Sequence, residues 1–368
     1  MIPRALVLAC AALALLPAAA GAGQSAALQR TLEQALSETP LSPGMIAAVD
    51  RPGLRWRGAV GVIDRATGVP LRPHDSYRIA SVGKTFTAVA VLRLVDKGRL
   101  ALDDPIARYL PAVYRKALRD DGYQPSRITI RMALQHTGGL WDFAGSEEYA
   151  EAVFVDFHHR WTRLEQLRFA MEHGDPLFPP GSDYAYSDTG YILLAEIIEQ
   201  VTGRSQAEAY RRLLRFERIG VRHTYLETLE PPPPGTGPRA HQYLGDLDTF
   251  DLDASHDLYG GGGQVSTAPD QNRFFRALFT GRLLSHRTLR AMTTPTTQSE
   301  SRGEAYGMGI ERIETDVAGA CFGHNGFWGA ASLYCPQRQL GVSVTVNAAP
   351  PAPSYGLAAA ILTTAAGS

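Results

Sequence analysis

Strand-like segments lie at the two ends of this 368-residue chain, and helix-like segments fill the middle. Near the start, "MIAAVD" (45–50) and "LRWRGAVG" (54–61) form a candidate strand pair split by Arg51-Pro52-Gly53. Near the end come "YGMGIERIE" (306–314), "VAGACFGH" (317–324), "ASLYC" (331–335) and "GVSVTVN" (341–347). Between them, helical periodicity runs over 82–97 up to Gly98, then over 163–174, 190–203 and 207–220. "STAPDQNRFFRALF" opens with a Thr267-to-Asp270 cap and Pro269 in its first turn. "PPPPGTGP" (231–238) reads as a loop. "LQRTLEQALSE" (28–38) and "GLAAAILTTA" read as helices outside the two strand groups. Strands from both ends around a helical insert predict one α/β layer and one helical lobe.

A net charge of −1 leaves no electrostatic footprint for nucleic acid. The first 22 residues hold one basic residue, Arg4, an apolar run, and small residues with A-x-A sites ending at Ala20 and Ala22. This pattern predicts a cleaved secretory signal peptide, hence a periplasmic or secreted protein with no stable membrane span after cleavage. Cys10 lies inside the apolar run, where a lipid-anchored cysteine would follow it. Export makes a disulfide available to Cys321 and Cys335. Antiparallel partners keep a constant sum of residue numbers, so a turn near Trp328 sets these two opposite each other.

The stretch "IASVGKTFTAVAVL" (79–92) contains one of three lysines, the others being Lys97 and Lys116, in a chain with 36 lysines and arginines. The remaining 33 (36 − 3) are arginine, so a fixed positive charge is ordinarily supplied by guanidinium here. An ammonium can give up its proton when buried; a guanidinium effectively cannot. Lys84 stands three residues after Ser81, on the same helical face. A neutral Lys84 can therefore accept the Ser81 hydroxyl proton, and Ser81 can act as a nucleophile. Tyr186 in "YSDTGY" follows a turn-rich entry and precedes an amphipathic helix, and "GHNGFWGA" (323–330) places a polar pair between glycines beside a turn. Nucleophile, base, tyrosine and strand-edge N–H make up a set suited to acyl transfer.

These stretches resemble the serine hydrolase family of class C β-lactamases, D-alanyl-D-alanine carboxypeptidases and related esterases. The resemblance runs from about residue 40 to 350. It is carried by "YRIASVGKTFTAVAVLRLVDKGRLALDDPIARYLP", "TIRMALQHTGGL", "FPPGSDYAYSDTGYILLAEIIEQVTG", "GGGGQVSTAPDQNRFFRAL" and "GHNGFWGA". It implies a β-lactamase/transpeptidase-like fold: an antiparallel sheet flanked by terminal helices, with an all-helical insert. A single catalytic domain is expected over 23–366, with its α/β part over about 23–80 and 300–366 and its helical part over about 81–299. The resemblance implies Ser81 as nucleophile, Lys84 as base, Tyr186 as proton shuttle, and the N–H groups of Ser81 and Phe327 as the oxyanion hole. Lys84 and Tyr186 together share the role of base.

Two departures from the family pattern bear on substrate. The second box reads Tyr186-Ser187-Asp188 where Y-x-N is usual, and a carboxylate offers no donor to a substrate carbonyl. The third reads His324-Asn325-Gly326 where K-T-G is usual; His324 would be charged only part of the time near neutrality. Asp188, His324, Asn325 and Gly326 are the expected substrate-binding residues. The expected activity is that of an acyl-hydrolase of the D-alanyl-D-alanine carboxypeptidase or D-amino-acid peptidase type. A small-ester esterase or weak β-lactamase stands as an alternative, and a non-catalytic penicillin-binding sensor as a reading of another class. A small-molecule or peptide substrate is expected (a D-amino-acid peptide, an ester or a β-lactam), with no cofactor and no metal. The acidic stretch 245–257 has no central glycine and Phe250 at a ligand position, unlike a calcium loop. Adjacent His158 and His159 diverge on a helix. "GGGG" (260–263) reads as close backbone packing, and His136 as a hydrogen-bonder in the site wall.

Overall fold

The computed structural model describes residues 16–350 and 353–367. Most of the segment read as a signal peptide, 1–15, lies outside the described residues, and helix α1 (Leu16–Ser37) begins within that segment's end. Strands β1 (Gly44–Arg51), β2 (Leu54–Gly61), β3 (Glu311–Thr315), β4 (Gly319–Gly326), β5 (Ala330–Cys335) and β6 (Leu340–Thr345) form one antiparallel sheet in the order β2-β1-β6-β5-β4-β3. The ends of the chain meet at its centre, where Val49 pairs with Val342.

Alternation along β1 divides two cores. Met45, Ala47 and Val49 face one layer, shared with Leu28 and Leu32 of α1 and with Leu357 and Ile361 of the C-terminal helix (Ser354–Ala366). Ile46 and Ala48 face the other, which extends into the helical lobe. A buried polar seam closes the second face. Helix Ala268–Phe279, capped by Thr267 accepting from the Asp270 N–H, lays Gln271 and Asn272 on the sheet. Ser332 donates to Gln271 at 2.7 Å and Ser343 to Asn272 at 2.8 Å, so the strand hydroxyls are satisfied.

Three differences from the sequence-based expectation have local causes. The helix 268–279 falls inside the span expected to be the helical insert, yet it packs on the sheet, because its polar face matches the serines of β5 and β6. The insert is also not all helical: short strands Gln264–Ser266 and Tyr225–Leu226 within it form a second sheet with Tyr77–Arg78, which lies just before it. The helix expected over 207–220 breaks into Gln206–Leu213 and Phe216–Ile219, with Arg215 in the left-handed region at φ 54°.

The β4–β5 register pairs Phe322 with Tyr334 and Gly326 with Ala330, a constant sum that sets Cys321 opposite Cys335. The two are joined by a disulfide inside the core between sheet and terminal helices. Intact-mass measurement of unfolded, non-reduced exported protein should find no free thiol at either position. Replacing both with serine should lower unfolding free energy by about 2–3 kcal/mol, the scale for a closed loop of this length.

Candidate active site

Ser81 sits on a 3₁₀ turn (Ala80–Val82) that runs directly into helix α2 (Gly83–Asp96). The residues from Gly83 to Leu94 are all buried, which suits a helix apolar on every side and running through the lobe's centre. Ala80 holds φ at 43°, a conformation that a β-carbon disfavours. Its turn is clamped from both sides. The Ile79 N–H donates to the Gln264 carbonyl at 3.0 Å. On the other side, a Cβ at Gly326 would lie 2.1 Å from the Ile79 carbonyl oxygen, so only glycine lets β4 come this close. Phe327, exposed on the rim, follows immediately, and neither its N–H nor that of Ser81 donates to a backbone carbonyl.

Lys84 is fully buried and ion-paired with Asp188. Nζ lies 2.8 Å from Ser81 Oγ, 2.5 Å from Asp188 Oδ1 and 3.1 Å from the Gly261 carbonyl. The carboxylate and the carbonyl accept from Nζ, while the Ser81 hydroxyl can face it as acceptor from an ammonium or as donor to a free amine. Tyr186 stands beside the pair, with its ring 4.8 Å from Nζ and its hydroxyl near enough to Ser81 to be held down slightly by it. Burial, and then the charge of Asp188, push the Tyr186 phenol upward, so it stays protonated near neutrality. A protonated Tyr186 is placed to donate, which leaves Lys84, in its neutral form, as the group that would receive the Ser81 proton.

The loop carrying "HTGGLWD" positions Tyr186 and Asp188. His136 Nδ1 accepts from the Ser187 N–H at 3.0 Å, and its ring packs 4.3 Å from that of Tyr186. Asp142 Oδ1 accepts from the Asp188 N–H at 2.8 Å. Both contacts use free N–H groups at the start of helix α3 (Asp188–Thr202). The glycine run completes the enclosure. A Cβ at Gly261 would sit 2.0 Å from Asp188 Oδ1, and one at Gly262 2.0 Å from Asp257 Oδ2. The glycines are thus needed where carboxylates press on the backbone.

A cavity of about 240 Å³ opens beside Ser81. Its ionisable lining is Asp142, Asp188, Asp257, Tyr149, Tyr186 and His256, and Phe154, Leu252, Phe327 and Trp328 supply apolar wall. Asp142 and Asp257 were not singled out by the sequence. The signal that could have found them is the glycine run, which makes room for acidic oxygens, and the "WD" that continues the 129–140 block "TIRMALQHTGGL". Burial, and then the charge of Asp188, push each of them up to about 7. His256 is held down to about 4 by burial and by Arg78, and is neutral.

The third box departs from its expected role. His324 is 1 % exposed, with Nε2 accepting from Tyr306 Oη at 3.0 Å and Nδ1 donating to the Asn325 carbonyl at 2.6 Å. Burial, and then the Lys84 charge, hold it down to about 3, so it carries no charge for a substrate carboxylate. Asn325 shares the strand face of Cys321, turned toward the terminal helices, and Gly326 is spent on the approach to Ile79. None of the three lines the cavity; of the expected substrate-binding residues, Asp188 does.

Among the described residues, Asp64, His241 and Asp248 are grouped closely enough for a metal. They lie away from the cavity lining, and His241 bonds Asp248 at 2.7 Å while Asp64 accepts from the Ala66 N–H and Tyr243 Oη.

Fold and site define a protein of the β-lactamase/transpeptidase-like class. The family model described as Beta-lactamase matches residues 30–366, and the chain belongs to that family. It is similar to a penicillin-binding protein of Bacillus subtilis, 26% identical over 317 residues, covering 81% of this chain and 66% of that protein. It is also similar to esterase EstB of Burkholderia gladioli, 35% identical over 215 residues, covering 57% of this chain and 53% of that one. The chain thus spans about half to two thirds of the length of these curated relatives. Among solved structures, a D-stereospecific amidohydrolase from Streptomyces sp. superposes with a TM-score of 0.78 at 28% identity, covering 94% of this chain and 99% of that one.

Lys84→Arg keeps the charge but removes the base, and should lower the rate of Ser81 acylation by on the order of 10²-fold or more. Burst kinetics with an activated ester measure this, and near-normal turnover would return Lys84 to a structural role. Asp188→Asn should speed acylation by β-lactams and by peptides ending in a carboxylate, because it removes an anion and adds an amide donor. Uncharged esters should change less.

Proposed function

We propose that this protein is an exported serine acyl-hydrolase that forms a Ser81 acyl-enzyme and acts on substrates with a free ammonium group near the scissile carbonyl. Amides and short peptides of D-amino acids fit this description. The observation that carries the reading is charge. The cavity beside Ser81 presents three carboxylates and a neutral imidazole, and among the described residues no lysine or arginine lines it. One buried cation, Lys84, faces all three acids, and burial, then the charge of Asp188, push Asp142 and Asp257 upward against it. A substrate ammonium supplies the missing charge; a substrate carboxylate is repelled by it. This favours the D-amino-acid peptidase side of the expectation over the D-alanyl-D-alanine carboxypeptidase side. The likeness to the D-stereospecific amidohydrolase supports the choice of D-configured substrates. The volume, below the roughly 300–1,000 Å³ of drug-sized sites, suits a single side chain against the apolar wall.

In this reading Lys84, once it has given up its own proton to water, takes the Ser81 proton as Oγ attacks the carbonyl. The Ser81 and Phe327 N–H groups receive the developing oxyanion, and Tyr186 donates to the leaving nitrogen. Export is supported by the N-terminal pattern and by a disulfide, which persists in oxidising compartments.

A D-amino-acid amide compared with its N-acetyl derivative tests the substrate class. The free amine should have the higher kcat/KM by about 10- to 100-fold, the scale of a charged hydrogen bond, and Asp142→Asn should erase much of that margin. KM for the amine should rise as pH falls below about 7, where Asp142 and Asp257 take up protons, while KM for the N-acetyl compound stays flatter. Faster turnover of an N-acylated D-alanyl-D-alanine peptide would assign a carboxypeptidase instead. Turnover of p-nitrophenyl esters alone would assign an esterase.

A further inference from the structure

Lys84 is placed to be the base, yet its surroundings keep it in the form that cannot act as one. Nζ meets Ser81 Oγ, Asp188 Oδ1 and the Gly261 carbonyl, and its shortest contact is an ion pair with the Asp188 carboxylate. The remaining groups facing it are Asp142 from the loop before the 147–155 helix, Asp257 from the turn Ala254–Asp257, and the rings of Tyr186 and Tyr191 at 4.8 and 5.6 Å. His136 and His324 stand near it as neutral rings, and Arg78 reaches the cluster only through Asp257. The resting site thus holds three carboxylates around one ammonium and shares protons among the acids.

Asp188 joins the two halves of this arrangement. Oδ1 touches Lys84, and the same carboxylate lines the cavity that receives substrate. A second cation arriving in the cavity competes with Lys84 for the same negative charge.

We propose that the substrate's own ammonium group switches on the nucleophile: by pairing with Asp188, Asp142 and Asp257 it displaces the charge that holds Lys84 as an ammonium ion, and Lys84 releases a proton and becomes the base. This rests on the ammonium-binding reading given above. The balance is one cation in and one proton out, the proton leaving to water through the cavity mouth, where Ser81 is partly exposed. Neutral Lys84 then takes the Ser81 proton as the Oγ–C bond forms, and the leaving amine is reprotonated through Tyr186. A unit charge about 5 Å away, at an effective dielectric constant near 20, moves such a titration by roughly two pH units. Neutral substrates do not trigger the change, so selection acts on the chemical step as well as on binding.

The scarcity of lysine makes this directly observable. Full-length protein labelled with ¹³Cε-lysine has three signals, from Lys84, Lys97 and Lys116. Loss of one signal in Lys84→Arg assigns the buried residue, and the other two are exposed and serve as internal controls. The pH titration is run with saturating methylammonium chloride and with sodium chloride at equal ionic strength. The Lys84 midpoint should fall by about one pH unit or more with methylammonium only, and the control signals should not move. At a pH below that midpoint, methylammonium should accelerate Ser81 acylation by p-nitrophenyl acetate about tenfold. In Asp188→Asn that activation should vanish while acylation without amine becomes faster. An unmoved midpoint, with methylammonium still competing against a D-amino-acid amide, overturns the switch and leaves the ammonium site standing. Failure of methylammonium to compete at all removes both.

Discussion

A buried ammonium ion that must be paired on every side governs the architecture of this site. Leaving Lys84 uncompensated would cost several kcal/mol, so the surrounding chain is arranged to supply acceptors. One comes from the nucleophile itself, one from the first residue of α3 and one from a backbone carbonyl of the glycine run. Each acceptor imposes a further requirement. Asp188 needs its own N–H satisfied, which Asp142 does. The Gly261 carbonyl can approach only because no side chain stands on residues 261 and 262. The small sheet formed by Tyr77–Arg78, Gln264–Ser266 and Tyr225–Leu226 ties the segment before Ser81 to the segment after those glycines, so the lysine and its carbonyl partner are delivered together.

Neutral imidazoles and protonated phenols surround this ion. His136 and His324 are both held down, by burial first and by Lys84 second, and Tyr186 and Tyr306 are pushed up, chiefly by burial. These rings are therefore polar enough to satisfy hydrogen bonds yet add no charge to that of Lys84 and the carboxylates beside it. In such surroundings a single added charge carries further than it does in water, and that sensitivity is what a discriminating acyl-transfer site requires.

Much of this was legible in the sequence, for reasons that are local. The alternation in 45–50 and 341–347 predicts a half-buried sheet because side chains repeat every two residues. The Thr267 cap and the facing of Cys321 and Cys335 follow from fixed spacings. The nearness of Ser81 and Lys84 was readable from their three-residue spacing, whereas Tyr186 came from the family resemblance and is brought to them by the fold. What the sequence concealed depends on distant chain. Asp142 and Asp257 are separated from Lys84 by 58 and 173 positions (142 − 84 and 257 − 84), and their meeting is a property of the assembled lobe. His324 read as a part-time cation, because its neutrality comes from burial that no neighbour in sequence reveals. The helix 268–279 was assigned to the wrong layer for the same reason, since its partners Ser332 and Ser343 lie more than fifty residues away.

The pairing of β1 with β6 at the sheet's centre has a consequence for the life of the chain before it is active. These strands are separated by nearly the whole sequence, Ala48 meeting Ser343, and closing so long a loop carries an entropic cost of about 5 kcal/mol. The contact order is correspondingly high, and folding cannot run to completion from the N-terminus as the chain emerges. Gly326 and Phe327, which finish the wall around Ser81, belong to the same late-arriving segment. The nucleophile is thus assembled last. A nascent chain carries the serine and the lysine but not the walls that enclose them, and the site is complete only when the final strands are in place.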